Sequence, residues 1–321
     1  MKASAPGKVI LFGEHAVVYS RPALAVPVTQ VHVDVEVLDS PRKGIWIDAP
    51  GIDLRAELNS LPDDHPIGSV ILKLFQLFGF PSPSFGSPTG VLRKGQGEGL
   101  EISIASTIPV AAGLGSGAAV SVALIRALAL HLSNPLTDEQ VNDLVYEIEK
   151  LHHGTPSGID NTVITYAKPV YFMKGKPMET FKVGKSFTIV IGDTGIPAPT
   201  KESVGDLRLL WLRNINHFES IFNEIAQISL IARRSIESGK PELLGDLMDH
   251  NHSLLQSMTV SSPELDKLVA AARAAGALGA KLSGSGRGGN MIALVEQPKA
   301  ESVAGALIFA GAKNTIITEI S

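Results

Sequence analysis

The chain has 321 residues, 44% of them hydrophobic and 19% charged, with a net charge of −4 and a pI near 6.1. That length suits two domains, the composition suits a folded globular protein, and the absence of a basic excess excludes nucleic-acid binding as the main task. Cysteine is absent, which excludes disulfides, thiolate metal sites and cysteine nucleophiles and suits a reducing compartment.

Met1 to Lys8 lacks the apolar core of a signal peptide, and no apolar run approaches the roughly 20 residues that span a bilayer. The expectation is a cytoplasmic protein with no membrane or nucleic-acid partner. Val9 to Phe12 reads as a short buried strand, and Val28 to Leu38 alternates like a half-exposed antiparallel strand. A helix is expected over Ile67 to Phe78, followed by a Pro/Gly/Ser-rich loop from Gly79 to Gly90. Leu100 to Ile104 is again strand-like, and Ala118 to Leu132 is strongly helical. The next helix covers Asp138 to His152, with Thr137 as N-cap and Val141, Leu144, Val145, Ile148 and Leu151 as core face. Strands return between Tyr166 and Gly195, with Phe187 to Ile191 the clearest. Lys201 to His252 is mostly helical with a break at Gly239-Lys240-Pro241. Ser261 to Glu264 starts a further helix running to Leu278, and Met291 to Val295 is a strand. Helices and strands mix without regular βαβ alternation, so the expected class is α+β. The domains are expected at 1–180 and 181–321.

The most informative stretch is Pro109-Val110-Ala111-Ala112-Gly113-Leu114-Gly115-Ser116-Gly117-Ala118-Ala119, which lies between a strand and a helix. Glycines let successive backbone N–H groups converge, and the helix N-terminus adds free donors and the positive end of its dipole. A phosphate is the natural guest; a ligand-free connector is the bland alternative. A second glycine loop, Gly284-x-Gly286-x-x-Gly289, matches the dinucleotide fingerprint only formally. It is read as following a helix and opening a strand, the wrong context. No G-x-x-x-x-G-K-[ST] is present, so any nucleotide binds by another device.

His153-Gly154-Thr155-Pro156-Ser157-Gly158-Ile159-Asp160-Asn161 could present the Asp160 carboxylate rigidly, or Asp160 could simply cap a helix. Lys8 taken alone reads as an exposed turn lysine, Glu14 and His15 as a solvated pair, and Glu149 as a surface ion-pair partner. Helical periodicity places Glu147 and Glu149 on opposite borders of the apolar stripe of their helix. The pairs His152-His153 and His250-x-His252 lack a third ligand at metal-site spacing.

Taken together, these stretches resemble the GHMP small-molecule kinases. Pro6 to Tyr19, with its Gly13-Glu14-His15, resembles the first motif in the form found in mevalonate kinases. Pro109 to Ala119 resembles the second, ATP-binding motif, and Lys281 to Gly289 the third. His153 to Asn161 resembles the segment carrying the catalytic aspartate. Asp193-Thr194-Gly195 through Thr200-Lys201-Glu202, and Asn251-His252 through Ser262-Pro263-Glu264-Leu265-Asp266, are similar as well. The resemblance runs in order along nearly the whole chain. Two positions depart from it: Ser116-Gly117 stands where two serines are usual, and Arg287 where a small residue is common.

The resemblance implies a two-domain GHMP kinase fold with ATP and substrate in the interdomain cleft. It implies transfer of the γ-phosphoryl of ATP to the C5 hydroxyl of mevalonate, with phosphomevalonate kinase as runner-up and a non-catalytic ligand sensor as a different class. Galactokinases share Gly13-Glu14-His15 but carry arginine in place of Lys8. The implied site residues are Asp160 and Lys8 for catalysis, with Pro109 to Ala119 on ATP. Ser116 and Glu149 are implied on Mg²⁺, and Lys8, Glu14, His15, Asp160, Gly284 and Ser285 on substrate. A homodimer is left open.

Overall fold

The computed structural model describes residues 1–79, 98–109, 113–153, 157–198 and 200–321, with backbone alone at 152 and 153. Val110, Ala111, Ala112, the Gly154-Thr155-Pro156 turn and the loop beyond Gly79 therefore lie outside the described residues. In chain order the elements are β1 (Lys2–Phe12), β2 (Ala23–Ser40), β3 (Gly44–Ala49), β4 (Leu54–Glu57), α1 (Pro66–Leu77) and β5 (Gly99–Ser106). Then come α2 (Ser116–His131), α3 (Asp138–His153), α4 (Ile159–Tyr166), β6 (Val170–Phe172), β7 (Glu179–Thr180) and β8 (Phe187–Asp193). The rest is α5 (Thr200–Arg213), α6 (Ile215–Glu237), α7 (Leu244–Ser257), α8 (Pro263–Ala274), β9 (Gly279–Ser283), β10 (Asn290–Val295), α9 (Ala300–Ala310) and β11 (Asn314–Ile320). This is the expected α+β arrangement. No helix among the described residues is long and apolar enough to cross a membrane.

The contacts divide the chain into two compact units. The first comprises Met1–Gly7, Val31–Ile108 and Gly115–Tyr166, the second Lys8–Gln30, Pro109–Leu114 and Ala167–Ser321.

In the first unit, β2 pairs antiparallel with β5 (Val35 opposite Ile104) and β5 parallel with β3 (Ile102 opposite Ile47). β3 in turn pairs antiparallel with β4. Val31, Val33, Val35 and Val37 of β2 are all buried while Asp34 is exposed, which is the period-two pattern of a one-sided sheet. Helix α2 is rich in alanine and is buried on nearly every side, so α1, α3 and α4 can all pack against it. Helix α3 starts with a capping box: Thr137 Oγ1 accepts from the Gln140 amide at 3.3 Å, and Gln140 Oε1 accepts from the Thr137 amide at 2.9 Å. Val141, Leu144, Val145 and Ile148 are buried as expected, but Leu151 is 68% exposed. At about 100° per residue Leu151 falls roughly 70° from the middle of the stripe, at its border in the last turn.

In the second unit, β11-β8-β10-β9 form an antiparallel sheet in which Ile292 faces Ile191 on one side and Lys281 on the other. The start of β2 pairs with β6 (Leu24 opposite Tyr171). Helices α7, α8 and α9 pack on the four-stranded sheet, over a core that includes Phe222, Leu255, Met258, Leu265, Leu282 and Met291. The approach of α7 to β9 is close enough to require glycine. A Cβ on Gly279 would lie 2.1 Å from the Gly245 carbonyl oxygen, and one on Gly245 would lie 2.3 Å from that of Leu278. Two expectations need correction. The helical stretch after Lys201 breaks at Asn214 as well as near Pro241, because Asn214 leaves the helical region at φ −147°. The Gly284 loop follows a strand, β9, and not a helix: the alanine-rich α8 ends at Ala274, and Gly276 takes a φ of +98°. The loop still opens a strand, so the dinucleotide fingerprint fails for that reason.

Candidate active site

In the second unit the site is built from the end of β1, the glycine loop and the β9–β10 connection. Lys8 is buried in β1, and its backbone N–H donates to the Leu114 carbonyl at 3.0 Å, which ties the strand to the glycine loop. Ile10 is tied in the same way to the other loop: its N–H donates to Ser283 Oγ at 3.1 Å, and that hydroxyl donates to the Ile10 carbonyl at 2.9 Å. Past Phe12 the chain turns at Gly13, where φ is +96° and a Cβ would lie 2.4 Å from the Pro22 carbonyl oxygen. Glu14 and His15 follow, both buried rather than solvated, with His15 itself in the left-handed region at φ 61°.

Glu14 Oε1 is paired with the Lys281 ammonium, while Oε2 is buried with no hydrogen-bond partner among the described residues. Burial pushes the Glu14 carboxyl up and the Lys281 amine down, and each charge pulls the other part of the way back. His15 Nε2 lies 3.0 Å from the Ser285 carbonyl oxygen, which also accepts from Ser203 Oγ at 2.7 Å. Burial lowers the His15 imidazole to about 4, so it is neutral near pH 7. Thr200 Oγ1 donates to Ser285 Oγ at 3.0 Å. The Asp193-Thr194-Gly195 segment secures the far end of the same loop. Asp193 Oδ1 accepts from the Gly195 amide at 2.8 Å, and the Thr194 amide and hydroxyl both reach the Gly289 carbonyl at 2.9 Å. Arg287, at φ 56°, turns away to pair with Asp206.

Of the other residues singled out from the sequence, those from Ser116 to Asp160 lie in the first unit. Helix α2 begins at Ser116 behind Gly115, a left-handed N-cap (φ 77°) with no side chain to satisfy the first N–H groups. Ala118 and Ala119 are buried, so they offer only backbone. Glu149 is half-buried on α3, and its Oε1 lies 3.9 Å from where a Cβ on Gly117 would sit. Glu147 faces solvent and pairs with Lys150 at 2.7 Å. Asp160 is the second residue of α4, inside the first turn rather than at the cap, and half-buried. Its neighbours hold it: the Ile159 amide donates to Ser157 Oγ at 3.3 Å, and Asn161 Nδ2 donates to Asn142 Oδ1 at 2.8 Å. The structure thus gathers Lys8, Glu14, His15, Gly113, Gly284 and Ser285 in one unit and Ser116, Gly117 and Glu149 in the other, where Asp160 also lies. His250 and His252 diverge: His250 pairs with Glu224 at 2.8 Å on the surface, and His252 is buried 3.1 Å from Asp266.

The residues fit the groups that a phosphoryl transfer needs. At Gly113, with φ +79°, the nearest atom to an added Cβ is Asn290 Nδ2 at 4.0 Å, and at Gly284 there is nothing within 4 Å. Among the described residues, neither position is crowded. Glu149 Oε1 thus borders Gly117, the position where the resemblance leads one to expect a second serine. No cluster of three or more His, Cys, Asp or Glu occurs among the described residues. One carboxylate and one hydroxyl suit Mg²⁺, which completes its shell from phosphates and water.

Residues 87–168 match the family model for the GHMP kinases N terminal domain, and residues 232–313 match that for the GHMP kinases C terminal. The mevalonate kinase of Thermococcus gammatolerans is 38% identical over 99% of this chain and 96% of its own length. The chain belongs to the mevalonate kinase family of the GHMP kinases. The Pyrococcus furiosus mevalonate kinase is 37% identical over the same shares. The L. major mevalonate kinase crystallised with R-mevalonate superposes with a TM-score of 0.84 at 28% identity, covering 100% of this chain and 96% of that one. The Methanococcus jannaschii mevalonate kinase superposes with a TM-score of 0.81 at 26% identity, covering 99% and 97%.

Reading the sequence missed Lys281, Ser203 and Thr200 as supports of the site, although all three lie in or next to motif stretches. The signal was there for Lys281, a lysine set in the apolar run Ala280-Lys281-Leu282 of a buried strand.

Proposed function

We propose that this protein transfers the γ-phosphoryl group of ATP to the C5 hydroxyl of mevalonate, giving 5-phosphomevalonate and ADP. One observation carries the reading: relatives named for this activity match over 99% of the chain, and Lys8, Glu149 and Asp160 are all in place.

Phosphoryl transfer needs positioning and charge neutralisation more than covalent help. Backbone N–H groups of the Gly113 to Ser116 loop hold the α- and β-phosphates, with no side chain at Gly113 or Gly115 to block them, and the rest of the Pro109 to Ala119 stretch frames that loop. Ser116 Oγ and the Glu149 carboxylate would hold Mg²⁺, which would supply neutralisation of phosphate charge there. Glu14 and His15 orient the substrate through acceptors that the protein leaves unfilled, and Gly284 and Ser285 border it. Asp160 takes the C5 hydroxyl proton as that oxygen bonds to phosphorus and ADP departs. Lys8 balances the negative charge of Asp160 and of the moving phosphoryl group.

The proposal includes domains at 1–180 and 181–321, a cytoplasmic location and a homodimer, checked by limited proteolysis, fractionation and light scattering. The activity is tested by a coupled ADP-release assay over mevalonate, phosphomevalonate, homoserine and galactose. Mevalonate should turn over far faster than phosphomevalonate, because a site shaped for a free C5 hydroxyl would have to admit an extra dianion. Comparable or faster turnover of phosphomevalonate overturns the assignment.

A further inference from the structure

Every residue of β9 is buried, and Lys281 stands in its middle with no exposure. A lysine in that position is costly to desolvate and needs partners. Among the described residues its Nζ has two hydrogen-bond acceptors, Glu14 Oε1 and the Leu282 carbonyl oxygen at 2.6 Å, and the Phe12 ring centroid lies 5.9 Å away. All three are electron-rich, which suits a buried ammonium. A buried ion pair is a weak device for stability, since apolar residues of similar volume often serve as well. What the pair does to Glu14 is more specific. It fixes one carboxylate oxygen and leaves the other, Oε2, buried and without a hydrogen-bond partner among the described residues.

We infer that Lys281 is a positioning residue that holds Glu14 as a carboxylate, with Oε2 kept as acceptor for a substrate hydroxyl. The identity of that hydroxyl rests on the mevalonate reading above; the Lys281–Glu14 relationship does not. Burial alone favours the protonated carboxyl of Glu14, and the Lys281 charge opposes it. A protonated carboxyl is a weaker acceptor than a carboxylate. The charged and titratable groups facing the pair are few. Lys8 of β1 also acts on Glu14, and His15 adjoins it with Arg287 beyond. His252 of α7 faces Lys281, with Asp266 and Arg273 behind it.

The test is calorimetric binding of mevalonate without nucleotide, from about pH 6.5 to about pH 9, a range that spans the raised values known for buried carboxyls. The proteins compared are wild type, Lys281→Met, Glu14→Gln and the Lys281→Met/Glu14→Gln pair. Wild-type affinity should stay nearly constant over that range. Lys281→Met should bind roughly ten- to a hundredfold more weakly near neutrality, the cost of losing a charged hydrogen bond, and recover as pH rises. The double variant should remain weak at every pH. The KM for mevalonate should follow the binding, and that for ATP should not change. A loss in Lys281→Met that is equal at all pH values, or no loss, overturns the inference. Should that variant not fold, the carbon-13 carboxyl shift of Glu14 in the wild type, assigned with Glu14→Gln, decides the matter: ionised at neutral pH supports the inference, protonated overturns it. If the wild type does not bind mevalonate, the substrate assignment fails, while the carbon-13 shift still judges Lys281.

Discussion

His15 Nε2 and the Ser285 carbonyl oxygen are 3.0 Å apart, and a carbonyl can only accept. Nε2 therefore carries the proton of the neutral ring, and Nδ1 is a buried acceptor with no hydrogen-bond partner among the described residues. The protein thus fixes a tautomer through a backbone atom, and Ser203 steadies that atom from α5. Two buried acceptors, His15 Nδ1 and Glu14 Oε2, suit a substrate that brings hydroxyl groups.

The same burial has a cost in acid. His15 and His252 are both lowered to about 4 by desolvation, whereas an unfolded histidine titrates near 6.5. Between those values the unfolded chain binds the extra protons. The stability these residues contribute is therefore present above about pH 6.5 and lost as pH falls through about 4, at up to about 1.4 kcal/mol per pH unit for each. Thermal melts across that window should show a smaller acid loss in His252→Asn than in the wild type. An unchanged slope shows that the ring is not held neutral.

Asp160→Asn should lower turnover by about 10²- to 10⁴-fold, the usual contribution of a general base, with ATP affinity nearly intact. The variant should fold, because Asp160 lies within the first turn of α4 and not at its cap. Steady-state kinetics beside nucleotide calorimetry separate the two effects. Near-normal turnover removes Asp160 from the chemistry.

Gly113→Ala should weaken nucleotide binding beyond what backbone strain explains. Among the described residues beyond its chain neighbours, the added Cβ meets no atom closer than 4.0 Å, so it should intrude on what the loop holds. Gly175→Ala is the matched control, with the same φ of +79° and nothing within 4 Å. Left-handed strain costs both variants about 1–2 kcal/mol. Equal ATP affinity in the two variants means that the loop is no cradle.

Glu149→Gln should raise the Mg²⁺ concentration needed for half-maximal activity and lower turnover, whereas Glu147→Gln should do neither. Glu149 Oε1 overlooks Gly117 at the start of α2, while Glu147 faces water and pairs with Lys150. Activity titrated with Mg²⁺ distinguishes them, and a response confined to Glu147→Gln reverses the assignment.

Local signals determined a good deal of this protein. Alternation in Val31 to Val37, the Thr137–Gln140 cap, the Ser262 cap before Pro263 and the glycines around Leu114 each depend on neighbours a few residues away, so the chain itself displays them. Motif resemblance supplied the family and the expected roles of Lys8, Glu14, His15, Glu149 and Asp160. Periodicity could not separate Glu147 from Glu149, because both stand on borders of one stripe, and it misplaced Leu151. What only the tertiary structure decided are the relationships at long sequence separation. Glu14 meets a lysine 267 positions away, and His15 a carbonyl 270 positions away. Each of these residues looks solvated in isolation. Burial turns one into half of an ion pair and the other into a fixed tautomer, because desolvation and partner charge are properties of the packed fold and not of the chain's local pattern.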